Sequence, residues 1–598
     1  MIQCMRFTVA WARPQTVLLA NYTPEATSER AGPASRKLDP PAGRQPLPSA
    51  PPVGSVAYRA CTYDVAAGGL YVQIESTLFR RLDLTDAVTR ELSSRNRLLP
   101  RRWDYAALAT DPSAVESWLR PQLRRGPSGN TASVVFADKG WRGVRPLHVM
   151  SLADRVLYRA LVTLISESLP ASLRSRIPAE DFRQAPLEVP TARYISKTDV
   201  TSYYEFVDHE LLRAELINQT GEEIAADALI DLLQAILARR VGLPQVHPSS
   251  DVLGDTYIDP ARRRLIRQGH PAFTYSDDFR ITSDSLGRAR AALEACATEV
   301  RSLGLVLNER KTYTYRASKY RKSLTSFTDA ERRLFGDEKS ASSADSLGFF
   351  SDNYSDAGDG AGEPLQLGAL PLDSSVDEDE VIGTDADEVP EASDPARILA
   401  AQRAWELWLD EDESDDVQAG QDAAITQSLV GRALPTLGAA ADDGPLEALS
   451  QLLRLEPALT PHIATYIDAY AQTGSHARVA IREKLDEIVS SDILSPWQGM
   501  WLADIAGAIR RARRTHDYET WLVNCVKGPH DGLAATAAAA LGRIGREDPD
   551  AVAEAIDRVS PEWRRLAFWG LIGLDRSAAE SVADDELDRL MLTALARQ

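Results

Sequence analysis

Three kinds of patterning follow one another along the chain. Residues 1–57 ("…SERAGPASRKLDPPAGRQPLPSAPPVG…") show no apolar periodicity and are rich in Pro, Ala, Ser and Arg, which predicts a disordered tail. From 58 to 333, short alternating runs are interleaved with apolar stripes at steps of three and four, which predicts mixed strands and helices. Residues 334–395 are Ser-, Asp-, Gly- and Glu-rich and read as a solvated linker. From 396 to 598 the spacing is helical almost throughout. The stretch "DGLAATAAAALGRIGREDPDAVAEAIDRVSPEWRRLAFWGLIGLD" gives helix, break, helix, break, helix, similar to degenerate HEAT-like pairs without a fixed period.

Inside the mixed region one order of elements stands out. "RYISKTDV" is a short β-prone run that brings Asp199 to the end of a strand, and the amphipathic "HELLRAELI" follows as a helix. "FTYSDDFRI" (273–281) alternates on both sides of two adjacent aspartates, so it reads as strand, turn, strand. Leu286, Ala289, Leu293, Cys296, Val300 and Leu303 then form one helical stripe, with Ser283 or Asp284 as its cap and Gly304 at its stop. "LVLNERKTYTY" alternates again and predicts a further strand.

Charge changes how this region is read. The net charge of −20 disfavours a nucleic-acid partner, but residues 336–416 alone hold 24 acidic against 3 basic residues and leave the rest of the chain near +1. Arg95 to Arg159 holds 12 basic and 5 acidic residues, a basic region beside an acidic tether. The four cysteines are far apart and form no CxxC, the usage of a reducing, cytoplasmic compartment. Neither a signal peptide nor a membrane-spanning run is expected.

Two like charges side by side, flanked by Phe273, Tyr275, Phe279 and Ile281, call for an explanation. A surface turn is the ordinary one; a divalent cation that reverses the local electrostatics is the other. A carboxylate at one strand end plus a carboxylate pair on a second hairpin is what a two-metal site requires, since two ions need oxygen ligands from more than one segment.

Five pieces in order carry a family resemblance: "ADKGWRGVR" (137–145), Asp199, "GLPQ" (242–245), "YSDD" (275–278) and "LNERKT" (307–312). Over roughly residues 130–315 the chain resembles the reverse transcriptases. The resemblance implies an α/β (α+β) right-hand palm-and-fingers polymerase core, here followed by an all-α helical-repeat domain. It implies an RNA-directed DNA polymerase that uses two Mg²⁺ ions, with Mn²⁺ as an alternative, dNTPs, an RNA template and a DNA product.

It also implies roles. Asp199 and Asp277 would hold both metals, and Asp278 would bind more loosely or act through a neighbour. Tyr204 matches the aromatic gate that excludes a ribose 2′-hydroxyl, with a core aromatic as the plain reading. Gln245 would lie near the incoming nucleotide, and Gly242 and Pro244 would set the backbone path there, as Tyr275 and Ser276 would at the aspartate turn. Val246-His247 departs from the family's usual Gly after Gln245. Lys139 and Arg145, with Arg142 as an alternative, would meet the triphosphate, or are surface charges. Lys311 would lie near the pyrophosphate as an acid, an electrostatic stabiliser or a structural lysine.

A palm followed by a long helical region, with no RNase H, zinc or His-Asn-His motif, resembles the abortive-infection and other antiphage reverse transcriptases of bacteria. That implies antiviral defence by RNA-templated synthesis, or by template-independent synthesis primed from a protein hydroxyl. A nucleic-acid-binding scaffold without catalysis is the alternative. The helical region would grip DNA, form a homo-oligomer or sense a phage component. Its tryptophans (Trp497, Trp501, Trp521, Trp563, Trp569) read as core, and Arg510, Arg511, Arg513 and Arg514 as a phosphate contact or a solvated face.

Overall fold

The computed structural model describes residues 74–140, 143–174, 176–335, 395–410, 417–491, 494–509, 516–545 and 548–596. The tail 1–57, nearly all of 334–395, Arg142 and the Arg510–Arg514 cluster lie outside the described residues. Among the described residues no helix is long and apolar enough to cross a membrane, and Cys296 and Cys525 are free thiols.

The N-terminal helices α1 (Leu84–Ser93), α2 (Trp103–Leu108) and α3 (Pro112–Arg124) precede a two-stranded antiparallel hairpin, β1 (Ser133–Asp138) and β2 (Val144–Val149). Helices α4 (Leu152–Ser166) and α5 (Ala179–Glu188) lead into β3 (Tyr194–Thr198), which is followed by α6 (His209–Thr220), α7 (Glu223–Leu237) and α8 (Pro248–Arg267). The hairpin β4 (Ala272–Tyr275) and β5 (Asp278–Ser283), α9 (Leu286–Ser302) and β6 (Tyr313–Arg316) complete a sheet of order β4-β5-β3-β6 whose pairings are all antiparallel. One sheet face is apolar and covered: Phe279, Ile281 and the α9 stripe Ala289, Ala292, Cys296 and Val300 are buried.

Two local expectations are corrected. Ser285 caps α9, its hydroxyl accepting from the Arg288 N–H, because Ser283 still pairs with Tyr194 in the sheet. "LVLNERKTYTY" is not one strand. Asn308 accepts from the Arg310 N–H at 3.1 Å and opens a 3₁₀ turn over Glu309–Lys311, so that only Tyr313–Arg316 is extended.

After α10 (Ala317–Phe335) the described chain is wholly helical. Helices α11 (Pro395–Leu409), α12 (Val417–Ala439), α13 (Thr460–Gln472), α14 (Pro496–Ala508), α15 (Asp531–Ile544), α16 (Pro561–Leu574) and α17 (Glu586–Leu595) pack each on the next, and α11 starts from α10. Small residues let the axes approach closely. An added Cβ at Gly542 would lie 2.4 Å from the Gly570 carbonyl oxygen, and one at Gly570 would lie 2.3 Å from that of Ala538. This accounts for the alanine-rich run of α15, buried from Ala534 to Leu541.

The array returns to the N-terminal part: α17 packs on α2 and α3, α16 on α2, and α14 on β1. Trp497 and Trp563 are each 1% exposed. The Trp497 indole N–H donates to the Leu98 carbonyl at 2.5 Å and that of Trp563 to the Ser133 hydroxyl at 2.9 Å. Trp103 stacks on Trp569 with centroids 5.6 Å apart, and Glu562 accepts from the Ser133 N–H at 3.1 Å. The tryptophans are therefore packing residues, several of them at the junction with the β1–β2 hairpin.

Candidate active site

The site forms at one end of the four-stranded sheet. Tyr275 pairs with Asp278, which leaves Ser276 and Asp277 as a two-residue turn, and Thr198 pairs with Phe279. Continued by one residue, that register brings Asp199 beside Asp278, and the Val200 N–H donates to the Asp277 carbonyl at 3.2 Å. The three carboxylates predicted from the sequence are thus gathered by strand pairing alone.

Asp199 is only 4% exposed. The Asp277 carboxyl is pushed well above the usual carboxylate range, first by burial, then by the negative charges of Asp199 and Asp278 and by its hydrogen bond with Asp199. Such a cluster favours a proton or a cation between its members.

Protein cations supply part of the balance. Lys311 Nζ lies 3.4 Å from Asp199 Oδ2, where the Asn308 amide also donates at 3.4 Å. The Asn308 N–H donates to the Asp199 carbonyl at 2.7 Å and fixes the strand end. Arg280, 2% exposed, reaches Asp278 at 3.4 Å and lies 5.1 Å from the centre of the Phe182 ring. Lys197, 7% exposed, pairs with Arg280 across β3 and β5. Sequence reasoning passed over Arg280 and Lys197, yet strand alternation carries the signal, since each stands two residues from an aspartate on the same sheet face.

Tyr204 sits in the 3₁₀ turn Tyr203–Glu205 that follows Asp199. Its hydroxyl donates to Asp251 Oδ1 at 2.7 Å and lies 2.9 Å from the Ser276 hydroxyl. Ser276 has a φ of 53°, the positive value that a two-residue hairpin asks of its first central position, and its N–H donates to Asp255 Oδ1 at 3.0 Å. Tyr275 packs its ring 5.5 Å from that of Phe182.

The "GLPQ" segment runs beside Tyr204. The Leu243 N–H donates to the Tyr204 carbonyl at 2.7 Å and that of Gly242 to Val207 at 2.8 Å. Gly242 adopts a φ of 101°, open to glycine and strained for other residues. The Pro244 carbonyl accepts from the Ser250 hydroxyl. The Gln245 amide donates to Glu205 at 3.0 Å, while Arg239 holds the other Glu205 oxygen at 2.7 Å.

The departure at Val246-His247 has a structural counterpart. Val246 takes a φ of 59° and His247 turns inward, 3.2 Å from Glu91. Burial alone would raise the Glu91 carboxyl, but Arg155, His247 and Arg159 outweigh it and hold it well below the usual range. His247 thereby ties the "GLPQ" segment to α1 and α4.

Lys139 and Arg145 lie on the separate β1–β2 sheet. The Lys139 N–H closes the hairpin turn on the Gly143 carbonyl at 2.8 Å, and Arg145 pairs with Ala137. The aspartates, Tyr204, Ser276 and Lys311 are therefore one cluster, with Gln245, Gly242 and Pro244 along its border and the hairpin cations in another element.

Among the described residues no group of three or more His, Cys, Asp or Glu is arranged so that it could by itself hold a metal ion. Magnesium commonly binds through one or two carboxylates and completes its shell with water and substrate phosphates. An open set of carboxylate oxygens from two adjacent strands suits that habit, and Asp199, Asp277 and Asp278 would be the donors.

Residues 137–349 match the family profile described as reverse transcriptase (RNA-dependent DNA polymerase). That span runs from the end of β1 through the four-stranded sheet and α10. No curated protein matches the chain. Among solved structures, a Candida tropicalis telomerase in complex with a fragment of telomeric RNA aligns at 12% identity over 65% of this chain and 67% of that one, with a TM-score of 0.27, too low to carry an argument.

Proposed function

From the premise that this chain carries a reverse transcriptase segment and is an RNA-directed DNA polymerase, a nucleotidyltransferase, we propose that the end of the β4-β5-β3-β6 sheet adds dNTPs to a 3′-hydroxyl. The observation that carries this is the meeting of Asp199, Asp277 and Asp278, with Asp277 driven above its ordinary range by burial and then by its two neighbours. Asp199 and Asp277 would hold two Mg²⁺ ions, and Asp278, already engaged by Arg280, would bind less directly. Bound there, the ions would lower the pKa of the attacking hydroxyl and neutralise the leaving pyrophosphate. Lys311 neutralises Asp199 and stands ready for pyrophosphate charge. Tyr204 presents its ring as the sugar gate, and Gln245, steadied by Glu205, borders the nucleotide. Lys139 and Arg145 meet the triphosphate from the β1–β2 hairpin.

The wider reading is antiphage defence in a bacterial cytoplasm, with fingers and palm over 58–333, an acidic linker over 334–395 and a HEAT-like helical domain over 396–598. It is supported by the helical array that follows the palm and by the sequence resemblance.

The test uses the purified full chain with its co-purifying nucleic acid, labelled dNTPs and Mg²⁺, beside an Asp277→Ala, Asp278→Ala variant. Incorporation by the wild type alone, into a DNase-sensitive product and abolished by RNase pretreatment, is expected. A protein-linked product insensitive to RNase pretreatment would replace RNA templating by hydroxyl priming. Equal signal from wild type and variant would remove the site assignment.

A further inference from the structure

The hydroxyl of Tyr204 is tied to a neighbouring helix. Asp251 and Asp255 stand one turn apart on α8 and hold two different parts of the site. Asp251 Oδ1 accepts from the Tyr204 hydroxyl at 2.7 Å, and Asp255 Oδ1 accepts from the Ser276 N–H at 3.0 Å. Arg176 spans the pair: its Nε donates to Asp255 Oδ2 at 2.8 Å, and its Nη1 lies 3.7 Å from Asp251 Oδ1. The Ser276 hydroxyl, 2.9 Å from that of Tyr204, closes the ring of contacts. Between the two aspartates, Gly254 brings the helix against the tyrosines, where an added Cβ would lie 3.2 Å from the Tyr203 ring and 3.7 Å from that of Tyr204.

We propose that Asp251 is the positioning residue for sugar selectivity: by accepting the Tyr204 hydroxyl it fixes the gate ring, while Asp255, held by the same Arg176, fixes through the Ser276 N–H the turn that carries Asp277. This rests on the reading of Tyr204 as the gate. The physical reason is tolerance. A ring that rejects one additional oxygen must be held within about 0.5 Å, and a tyrosine anchored only by packing can swing about its side-chain bonds. Asp251 does not touch the reacting atoms; it acts through the ring. Its side chain is 45% exposed, so its removal spares the core.

The experiment measures kcat and KM for dGTP and GTP under the conditions in which wild type incorporates dGTP. The variants are Asp251→Ala, Asp251→Asn, Tyr204→Phe, Tyr204→Ala and Asp255→Ala. Tyr204→Ala should abolish most of the preference for dGTP. Asp251→Ala, which keeps the ring and its Ser276 contact, should lose about ten-fold of it, the worth of one hydrogen bond, and Tyr204→Phe, which removes both hydroxyl contacts, should lose at least as much. Asp251→Asn keeps an acceptor oxygen and should stay within about three-fold of wild type. Asp255→Ala should lower kcat for both nucleotides and leave their ratio in place. A wild-type ratio in Asp251→Ala alongside a collapsed ratio in Tyr204→Ala would overturn the proposal, and a lowered melting temperature with that unchanged ratio would assign Asp251 to stability alone. A wild-type ratio in Tyr204→Ala would instead overturn the gate reading on which the proposal rests.

Discussion

The β4–β5 and β1–β2 hairpins are both antiparallel pairs, and they are held in place from opposite directions along the sequence. The β4–β5 turn is secured by near neighbours: Asp255 lies 21 residues before Ser276. The β1–β2 hairpin depends on distant ones. Ala137 and Leu147 pack with Trp497, Ser495 donates to Asp138 across 357 residues, and Glu562 accepts from Ser133 across 429. On its other face Val134, Phe136 and Val144 stay between 43% and 56% exposed. The hairpin with the paired aspartates is thus built into the sheet, whereas the one with Lys139 and Arg145 is braced by the helical array.

The largest effect that can break this contrast is at Asp277. Asp277→Asn should cut dNTP incorporation by on the order of 10³-fold, since it removes a proposed metal ligand. It should also change how stability depends on pH. A folded carboxyl with a raised pKa binds its proton more tightly than the unfolded chain does, so its favourable contribution at low pH is lost as pH rises from about 4 through the raised value. Melting in EDTA between pH 4 and 8 should show wild type losing stability relative to Asp277→Asn. Parallel curves would mean that neither burial nor the neighbouring carboxylates raise the Asp277 carboxyl.

Trp497→Ala comes next. Truncating a side chain 1% exposed should cost about 3–5 kcal/mol by calorimetry or denaturant titration. Incorporation should fall at temperatures where the chain stays folded, because the β1–β2 hairpin loses its brace. Lost stability with full incorporation would show that the hairpin works unbraced.

Gly570→Ala should have the smallest effect, about 1–3 kcal/mol of stability from forcing α15 and α16 apart. Incorporation at a permissive temperature should hold within about two-fold. A large loss of activity would mean that the geometry of the array reaches the polymerase site, and the contrast between the hairpins would narrow.

What the sequence made legible follows the same division. Asp199, Asp277, Asp278 and Tyr204 stand in short motifs that alternation places at strand ends and turns; their grouping came from the family resemblance, and the pairing of β3 with β5 brings the three aspartates together. Arg280 and Lys197 were legible in principle by the same alternation. The α9 cap was misplaced by one or two residues because β5 claims Ser283 for pairing. The strand expected across "LVLNERKTYTY" was cut short by the Asn308 side chain, which competes for its own backbone. Trp497 and Trp563 could be read as core, but not as partners of Leu98 and Ser133. Contacts across some four hundred residues leave no periodicity, and only the folded chain reveals which surfaces meet.

That separation has a consequence for how the molecule is made. A ribosome adds about 5–20 residues per second, so Ser133 is synthesised some 20–90 seconds before Glu562 exists to accept from it. The carboxylate end of the sheet can be assembled on the nascent chain, while the β1–β2 hairpin waits for the array. If incorporation needs that brace, as Trp497→Ala tests, the chain would stay inert through most of its own translation and become competent only once α14 and α16 have emerged.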